Sequence, residues 1–367
     1  MQQLLREWPP GYGGVERVAH GLATELGGTV IALRRSDRTI TDPLPVTYKR
    51  LWLPAMSLGR LLIPLPSPVL TQLLISQQPL LAHLPCPAVL FLALMARLLR
   101  PRRSIRFYWH AFLEPRPGVF RCLEQVYQRL ALRLLRQFEV VTTSPILLQS
   151  LRAEMIPSCR LHWLACALPE TSESPYGLVW HRRNLDAAPQ GRLIAIGRLN
   201  SYKRFDWLIR AVASTSTVHS LDLIGEGPDR PRLEALAREL MPVSCSVRFH
   251  GRVSEERKQQ LMAEADLLVL PADRCNEAFG IVQLEAMACG IPSLAFDLPR
   301  SGTYWVSHLP ELPWSGRRVD LSSAIQTLLS QPDLYQRLAF QARHRYERVF
   351  SLKVWRRQLV CLGLDRG

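Results

Sequence analysis

The sequence predicts an α/β protein made of two doubly wound domains. Three observations carry this expectation. Short apolar runs alternate with helical segments of about ten residues, the pattern of parallel sheets built from right-handed crossovers. The alternation occurs twice and lapses once, over the polar, proline-bearing stretch Pro169 to Gln190. The chain of 367 residues suits two domains, and 47% apolar with 21% charged residues is an ordinary globular balance. The expected boundaries are 1–168, a linker at 169–190 with room for one short helix, a second domain at 191–345 and a closing segment at 346–367.

The elements follow in chain order. Val30–Leu33 and Leu80–Leu84 read as strands, with a helix from about Ala88 to Leu99. Ile105–Trp109 is a strand that ends at His110. Val119 to Gln137 is an amphipathic helix in which Phe120, Leu123, Tyr127, Leu130 and Leu134 fall at helical spacing and mark the expected buried face. Glu139–Thr143 is the next strand. In the second half, strands at Arg192–Ile196, Leu221–Ile224, Val247–His250, Leu267–Leu270 and Ser293–Phe296 alternate with helices at Phe205–Ser214, Asp229–Leu240, Glu255–Glu264 and Ile281–Cys289. In such sheets ligands bind beyond the carboxyl ends of the strands, so the site is expected in the cleft between the two domains.

Several function classes are disfavoured early. The eight cysteines form no Cys-x-x-Cys pair, which argues against zinc or redox motifs and suits buried thiols in a cytosolic protein. Met1 to Tyr12 has no signal-peptide core. Leu61 to Ala96 lacks any Asp, Glu, Lys or Arg, but Pro64, Pro66, Pro68, Pro79, Pro85 and Pro87 interrupt it. It therefore reads as buried elements of a globular domain, with a surface dipping into a bilayer as the alternative.

The richest motif is Asn276-Glu277-Ala278-Phe279-Gly280-Ile281-Val282-Gln283-Leu284-Glu285, after the strand Leu267–Leu270. Glu277 precedes a helix and Glu285 lies within it. The unpaired N–H groups around Phe279, Gly280 and Ile281 and the helix dipole favour an anion there. A diphosphate on that terminus would lie between two carboxylates able to accept hydrogen bonds from hydroxyls on either side. That arrangement suits a nucleotide sugar. The bland reading is a capping carboxylate and an exposed helix glutamate. The second motif, Gly197-Arg198-Leu199-Asn200-Ser201-Tyr202-Lys203, also follows a strand, and Lys203 is one of only four lysines. Arg198 and Lys203 could neutralise a departing diphosphate. A solvated loop is the alternative.

Together with Gly225-Glu226-Gly227-Pro228 and His250-Gly251-Arg252-Val253, these motifs resemble the retaining glycosyltransferases of family GT4, of the GT-B fold. The family's Glu-x7-Glu spacing is intact as Glu277 and Glu285. The resemblance is specific over Arg192 to about Val306 and weaker over Gly11 to Pro145. There, Gly11-Tyr12-Gly13-Gly14 looks like the family's opening glycine loop, Tyr108-Trp109-His110 like its strand-end histidine and Thr143-Ser144-Pro145 like a recurrent turn.

The resemblance implies that Glu277 binds the transferred sugar and Glu285 the ribose. Arg198 and Lys203 would bind the diphosphate, backbone at Phe279, Gly280 and Ile281 would complete the anion site, and backbone near Val253 would touch the base. His110, Gly13 and Gly14 would serve from the first domain. It implies transfer of a hexose, mannose from GDP-mannose as the best guess, to a glycan or polyprenyl-diphosphate-linked acceptor in surface polysaccharide synthesis. No cofactor and no metal are expected; the Asp-x-Asp motif of GT-A enzymes does not occur. The segment from about Ser351 to Leu362 resembles the family's terminal helix, which packs back on the first domain. Two departures are visible. The first strand is very short, and Val306 to Val319 does not match the second glycine-rich stretch of many relatives. A nucleotide-sugar 2-epimerase and a catalytically silent scaffold of the same fold stay open.

The net charge is +15. Residues 1–190 hold 22 Lys and Arg against 12 Asp and Glu, and 97–136 hold ten arginines against two glutamates. Arg129, Arg133 and Arg136 share one helical face, which suits docking on an anionic membrane surface, beside the alternative of a solvated face. The protein is thus expected in the cytoplasm, peripheral on the inner face of the cell membrane. Nucleic acid is not an expected partner, because aromatics do not interleave with the basic cluster.

Overall fold

The computed structural model describes residues 1–8, 13–35, 46–59, 61–114, 121–184 and 187–364. It divides into two compact units, Met1–Cys166 with Trp355–Gly367, and Ala167–Val354.

The first unit runs β1 (Gln2–Leu5), α1 (Gly14–Leu26), β2 (Thr29–Arg35), β3 (Lys49–Leu58), β4 (Leu61–Pro64), α2 (Pro68–Ile75), β5 (Leu80–Leu84), α3 (Pro87–Leu99), β6 (Ile105–Trp109), α4 (Arg121–Leu135), β7 (Glu139–Thr142), α5 (Pro145–Ala153) and β8 (Leu161–Trp163). Its sheet has the order β4-β3-β2-β1-β5-β6-β7-β8, parallel except for β4. The chain starts at the centre, builds outward to β4, then returns to β5 on the other side of β1. That reversal is a topological switch point.

The short first strand is fully buried and central. Its polar start is satisfied: Gln2 Oε1 accepts from buried Arg103 at 2.7 Å, and Gln3 Nε2 donates to Ala19 O at 3.2 Å. Leu61 to Ala96 becomes β4, α2, β5 and most of α3, and among the described residues no helix is long and apolar enough to cross a membrane. Ser67 and Ser144 cap α2 and α5, each accepting from a backbone N–H at 3.3 Å, with proline in the first turn. The Thr143-Ser144-Pro145 turn is therefore a helix cap. The terminal α14 (Leu352–Cys361) ends in this unit: Arg106 donates to the carbonyls of Leu362 and Gly363, and Arg356 pairs with Glu25 at 2.8 Å.

The expected buried face of the 119–137 helix is corrected. Its first two residues lie outside the described residues; in α4, Ala131, Leu132 and Leu135 are buried, whereas Leu123, Val126 and Leu130 are 64%, 59% and 53% exposed. Periodicity found the helix but not which side faces the sheet, because apolar residues occupy both sides. The basic cluster also divides. Arg97, Arg100, Arg103, Arg106 and Arg136 donate to backbone carbonyls, whereas Arg121, Arg129 and Arg133 stand exposed on α4. Of the cysteines, Cys86, Cys166, Cys245 and Cys289 are buried, but Cys122, Cys159 and Cys361 are exposed.

The second unit begins with α6 (Glu170–Arg182), where the sequence suggested a linker. Pro175 lies inside this helix, and Tyr176 is its buried anchor. Glu173 ties it down by accepting from Tyr346 Oη at 2.8 Å and Leu352 N at 2.9 Å. The short helix that the sequence allowed in this stretch is thus a 13-residue one with weak apolar periodicity. Then follow β9 (Arg192–Ile196), α7 (Phe205–Ala213), β10 (Ser220–Ile224), α8 (Arg230–Leu240), β11 (Ser246–Gly251), α9 (Glu255–Glu264), β12 (Leu267–Leu270), α10 (Ile281–Ala288), β13 (Ser293–Ala295), α11 (Thr303–Val306), α12 (Leu321–Ser330) and α13 (Pro332–Arg345). The sheet, β11-β10-β9-β12-β13, is wholly parallel. Its switch point lies between β9 and β12. One continuous core, including Leu193, Leu208, Leu223, Leu267, Val269 and Ile325, packs beneath.

Candidate functional site

The loops after β9 and β12 flank the switch point of the second sheet, and they carry the strongest sequence motifs. After β9 the chain reaches Arg198, which is exposed; its carbonyl accepts from Asn200 N at 2.8 Å, and its side chain has no hydrogen bond or ion pair among the described residues. A short turn, Ser201–Lys203, then brings Lys203 back beneath Gly197, where it is buried. Arg204 takes a left-handed conformation and covers Trp207 with its guanidinium at 4.0 Å. It also approaches Asp206 at 3.3 Å and Asp273 at 3.5 Å, and Asp273 N donates to Tyr202 O at 3.0 Å. These bonds lash the two loops together.

Their product is an ion pair between Lys203 Nζ and Glu277 Oε2. Burial pulls the Lys203 ammonium down, but the charge and hydrogen bond of Glu277, with Tyr202, outweigh it and raise the group. Lys203 is therefore charged at neutral pH. Glu277 itself is partly open, with 18% of its side chain exposed.

The loop 277–280 is held from behind. Ser301 Oγ donates to Glu277 O at 2.6 Å, and Gly302 N donates to Ala278 O at 2.8 Å. Gln283 Nε2 donates to Phe279 O at 3.0 Å and Thr303 O at 3.1 Å, and its Oε1 accepts from Ser293 at 3.3 Å. Gly280 caps α10 in a left-handed conformation, φ +73°, and a Cβ there would lie 2.4 Å from Leu270 Cδ2. Gln283 N donates to Gly280 O at 2.9 Å, which leaves the N–H groups of Ile281 and Val282 at the end of α10, where the helix dipole favours an anion.

Glu285, deeper in α10, is buried and accepts from Lys258 Nζ at 2.9 Å; Lys258 also pairs with Glu255 at 2.7 Å. Lys258 thus supports the carboxylate expected to bind the ribose, and only the rarity of lysine hinted at it. Val253 is half-buried between β11 and α9, whose cap is Ser254. Thus Arg198, Lys203, Val253, Glu277, Phe279 to Ile281 and Glu285 all belong to the carboxyl-end side of one sheet. The arrangement can neutralise a diphosphate and accept hydroxyl hydrogen bonds. Gln283 lies inside the motif but was given no role, and Ser301 and Thr303 were missed because their partners Glu277 and Gln283 lie 24 and 20 residues away.

In the first unit, Pro9 to Tyr12 lie outside the described residues; Gly13 caps α1, and Gly13 and Gly14 are exposed. The Glu16 carboxylate folds back so closely that a Cβ on Gly13 would lie 2.1 Å from it. Burial raises the Glu16 carboxyl despite backbone hydrogen bonds that lower it. His110 follows β6 and is buried, with Nε2 at 2.8 Å from His83 Nδ1; His83 Nε2 lies 2.9 Å from Gln3 Oε1. His83 and Gln3 were missed, although a histidine inside the apolar strand Leu80–Leu84 was a signal.

Burial pushes His83 down to about 3, and burial with the neighbouring His83 holds His110 well below the usual imidazole range. Both rings are neutral in the folded protein, while the unfolded chain takes up protons near pH 6.5. This contribution to stability is complete above about pH 7 and is lost as pH falls from about 6.5 toward 3. Urea unfolding at about pH 7.5 and about pH 5 should show a loss of roughly 2 kcal/mol from His83, with a further loss in the same direction from His110. The loss should shrink by about that much in His83→Gln.

Residues 180–345 match the family described as "Glycosyl transferases group 1". The D-inositol 3-phosphate glycosyltransferase of Salinispora arenicola is 37% identical over 127 residues, 31% of this chain and 28% of its own. The lipopolysaccharide glucosyltransferase WaaG of Escherichia coli K12 is 33% identical over 198 residues, 51% of this chain and 50% of its own. The chain thus spans half or less of these curated relatives. The crystal structure of HepE from Anabaena in complex with UDP matches 100% of this chain and 99% of its own, with a TM-score of 0.74 at 16% identity. The chain therefore has the GT-B fold, and the stretch that matches the family lies within its second unit.

Proposed function

We propose that the protein is a retaining glycosyltransferase of family GT4 that moves a hexose from a nucleotide sugar to a glycan acceptor. The observation that carries the reading is the Lys203–Glu277 pair at the switch point, beside the open N-terminus of α10. Lys203, Arg198 and the α10 N–H groups at Phe279, Gly280 and Ile281 hold the diphosphate and stabilise it as it leaves. Glu277 orients the sugar, Glu285 the ribose, and backbone at Val253 meets the base. His110, Gly13 and Gly14 are the first unit's contribution to substrate binding in this reading. In this reading the leaving diphosphate helps to deprotonate the acceptor, and neither a nucleophilic side chain nor a metal is used. Chelation should leave the rate unchanged.

GDP-mannose is the donor favoured by the stretch Phe279 to Glu285. UDP-glucose is the second reading, supported by the name of WaaG and by the nucleotide bound to HepE. Transfer assays with GDP-, UDP- and dTDP-sugars decide between them; activity only with a UDP or dTDP donor rejects mannose from GDP-mannose. An epimer formed without acceptor would favour the 2-epimerase, and failure of the wild type to bind any nucleotide sugar would favour the silent scaffold.

The proposed acceptor is a polyprenyl-diphosphate-linked glycan at the cytoplasmic face of the membrane. The outward face of α4 supports this: exposed Leu123, Val126 and Leu130 run beside Arg129 and Arg133. Apolar side chains can enter the headgroup region while each arginine adds about 1 kcal/mol on anionic lipid. Flotation with vesicles containing phosphatidylglycerol should fall about tenfold or more in Arg129→Gln/Arg133→Gln/Arg136→Gln, two or three such contacts being lost. Unchanged flotation rejects this face.

A further inference from the structure

We propose that Gln3 and His83 are positioning residues that hold His110 in its Nε2–H tautomer, presenting Nδ1 as a hydrogen-bond acceptor. The chain of bonds dictates the direction. Ala19 O can only accept, so the Gln3 amide nitrogen, 3.2 Å away, faces it. Gln3 Oε1 then faces His83 and accepts from Nε2–H at 2.9 Å. A neutral His83 with its proton on Nε2 has a lone pair on Nδ1, which must accept from His110 Nε2–H at 2.8 Å. His110 Nδ1 makes no hydrogen bond among the described residues. It is the ring atom left for a ligand.

The three groups sit on adjacent strands, β1, β5 and the end of β6, so the sheet itself sets their spacing. Gln3, His83 and His110 are 1%, 2% and 6% exposed. Tyr108 stacks on His110 at 4.4 Å and on His83 at 5.8 Å between centroids, and its hydroxyl is anchored on Leu164 O at 2.8 Å. The rings cannot turn over without breaking these contacts. His83 burial keeps it neutral, which the relay requires. A ligand hydroxyl can therefore donate to His110, whereas a ligand group that only accepts meets a lone pair. The consequence for catalysis rests on the glycosyltransferase reading above; the tautomer does not.

Two measurements on the full chain test the proposal. Long-range 1H–15N correlation of histidine-labelled protein at neutral pH should show both rings protonated on Nε2 alone. The signals are assigned by their loss in His83→Gln and His110→Gln. A His110 ring protonated on Nδ1, or on both nitrogens, overturns the proposal. In Gln3→Met the acceptor is gone, so His83 can move its proton to Nδ1 and His110 must then present Nδ1–H. Transfer should drop about tenfold or more in kcat, with binding of UDP or GDP alone unchanged. His83→Phe, which keeps a ring against Tyr108, should behave alike if Gln3→Met folds poorly, as read by circular dichroism. A changed tautomer with wild-type transfer overturns the positioning role. A wild type that transfers no sugar rejects the functional reading, and the spectrum still decides the tautomer.

Discussion

Glu277→Ala and Lys203→Met are each expected to lower sugar transfer by about 10²–10³-fold, the loss typical of removing one group that stabilises developing charge. The two side chains are paired in the structure, so the effects should not add. The double variant should lie within about tenfold of the worse single one. Their stability should diverge. Glu277→Ala strands a buried ammonium, which costs about 3–5 kcal/mol when a buried pair is broken. Lys203→Met leaves a partly exposed carboxylate that water can reach, and costs less. Steady-state kinetics with thermal unfolding of the same preparations separate the two effects. Wild-type transfer in both single variants would remove this pair from the site.

The second large effect concerns backbone. Gly225, at the end of β10, has φ +133°, and a Cβ there would lie 2.0 Å from Gly197 O and 2.8 Å from Gly197 C. Both contacts are with backbone, so no side chain can turn away. Gly225 N donates to Gly251 O at 2.8 Å, and Gly197 N donates to Ile224 O at 2.9 Å. The carboxyl ends of β9, β10 and β11 are thereby stacked as bare backbone, and Arg198 and Lys203 follow from that shelf. Gly225→Ala should destabilise the second unit by about 3 kcal/mol or more, combining backbone strain with overpacking. Urea unfolding followed by tryptophan fluorescence would measure it. A control, Gly21→Ala within α1, has no heavy atom within 4 Å of the new Cβ and should be neutral or stabilising. Equal stability of the two variants would show that the shelf yields easily.

The second unit was the more legible half. Its strands are short apolar runs set off by polar loops, and Arg192–Ile196, Glu255–Glu264 and Leu267–Leu270 have the expected bounds. The first unit was less so. Lys49–Leu58 carries Pro54 within a strand and was not anticipated, although β3 pairs with β2 over seven residues. Pro54 lies just outside Ala55–Leu58, the stretch that pairs with β4, so no ladder bond to β4 needs its missing N–H. The mid-chain helix α6 was expected only as a short helix within a linker, because its anchors, Tyr346 and Leu352, lie far along the chain.

By itself the sequence determined the two-domain α/β class and the loops where the chemistry would gather. Hydrophobic period and strand-end motifs are local properties, so they survive without a fold. Tertiary structure alone decided that Lys203 meets Glu277, that Lys258 holds Glu285, that α4 turns three apolar side chains outward, and that Gln3, His83 and His110 form one directional chain. Each of these is set by which strands become neighbours. A parallel sheet places residues distant in sequence side by side, and burial then sets which charges must pair and which rings stay neutral.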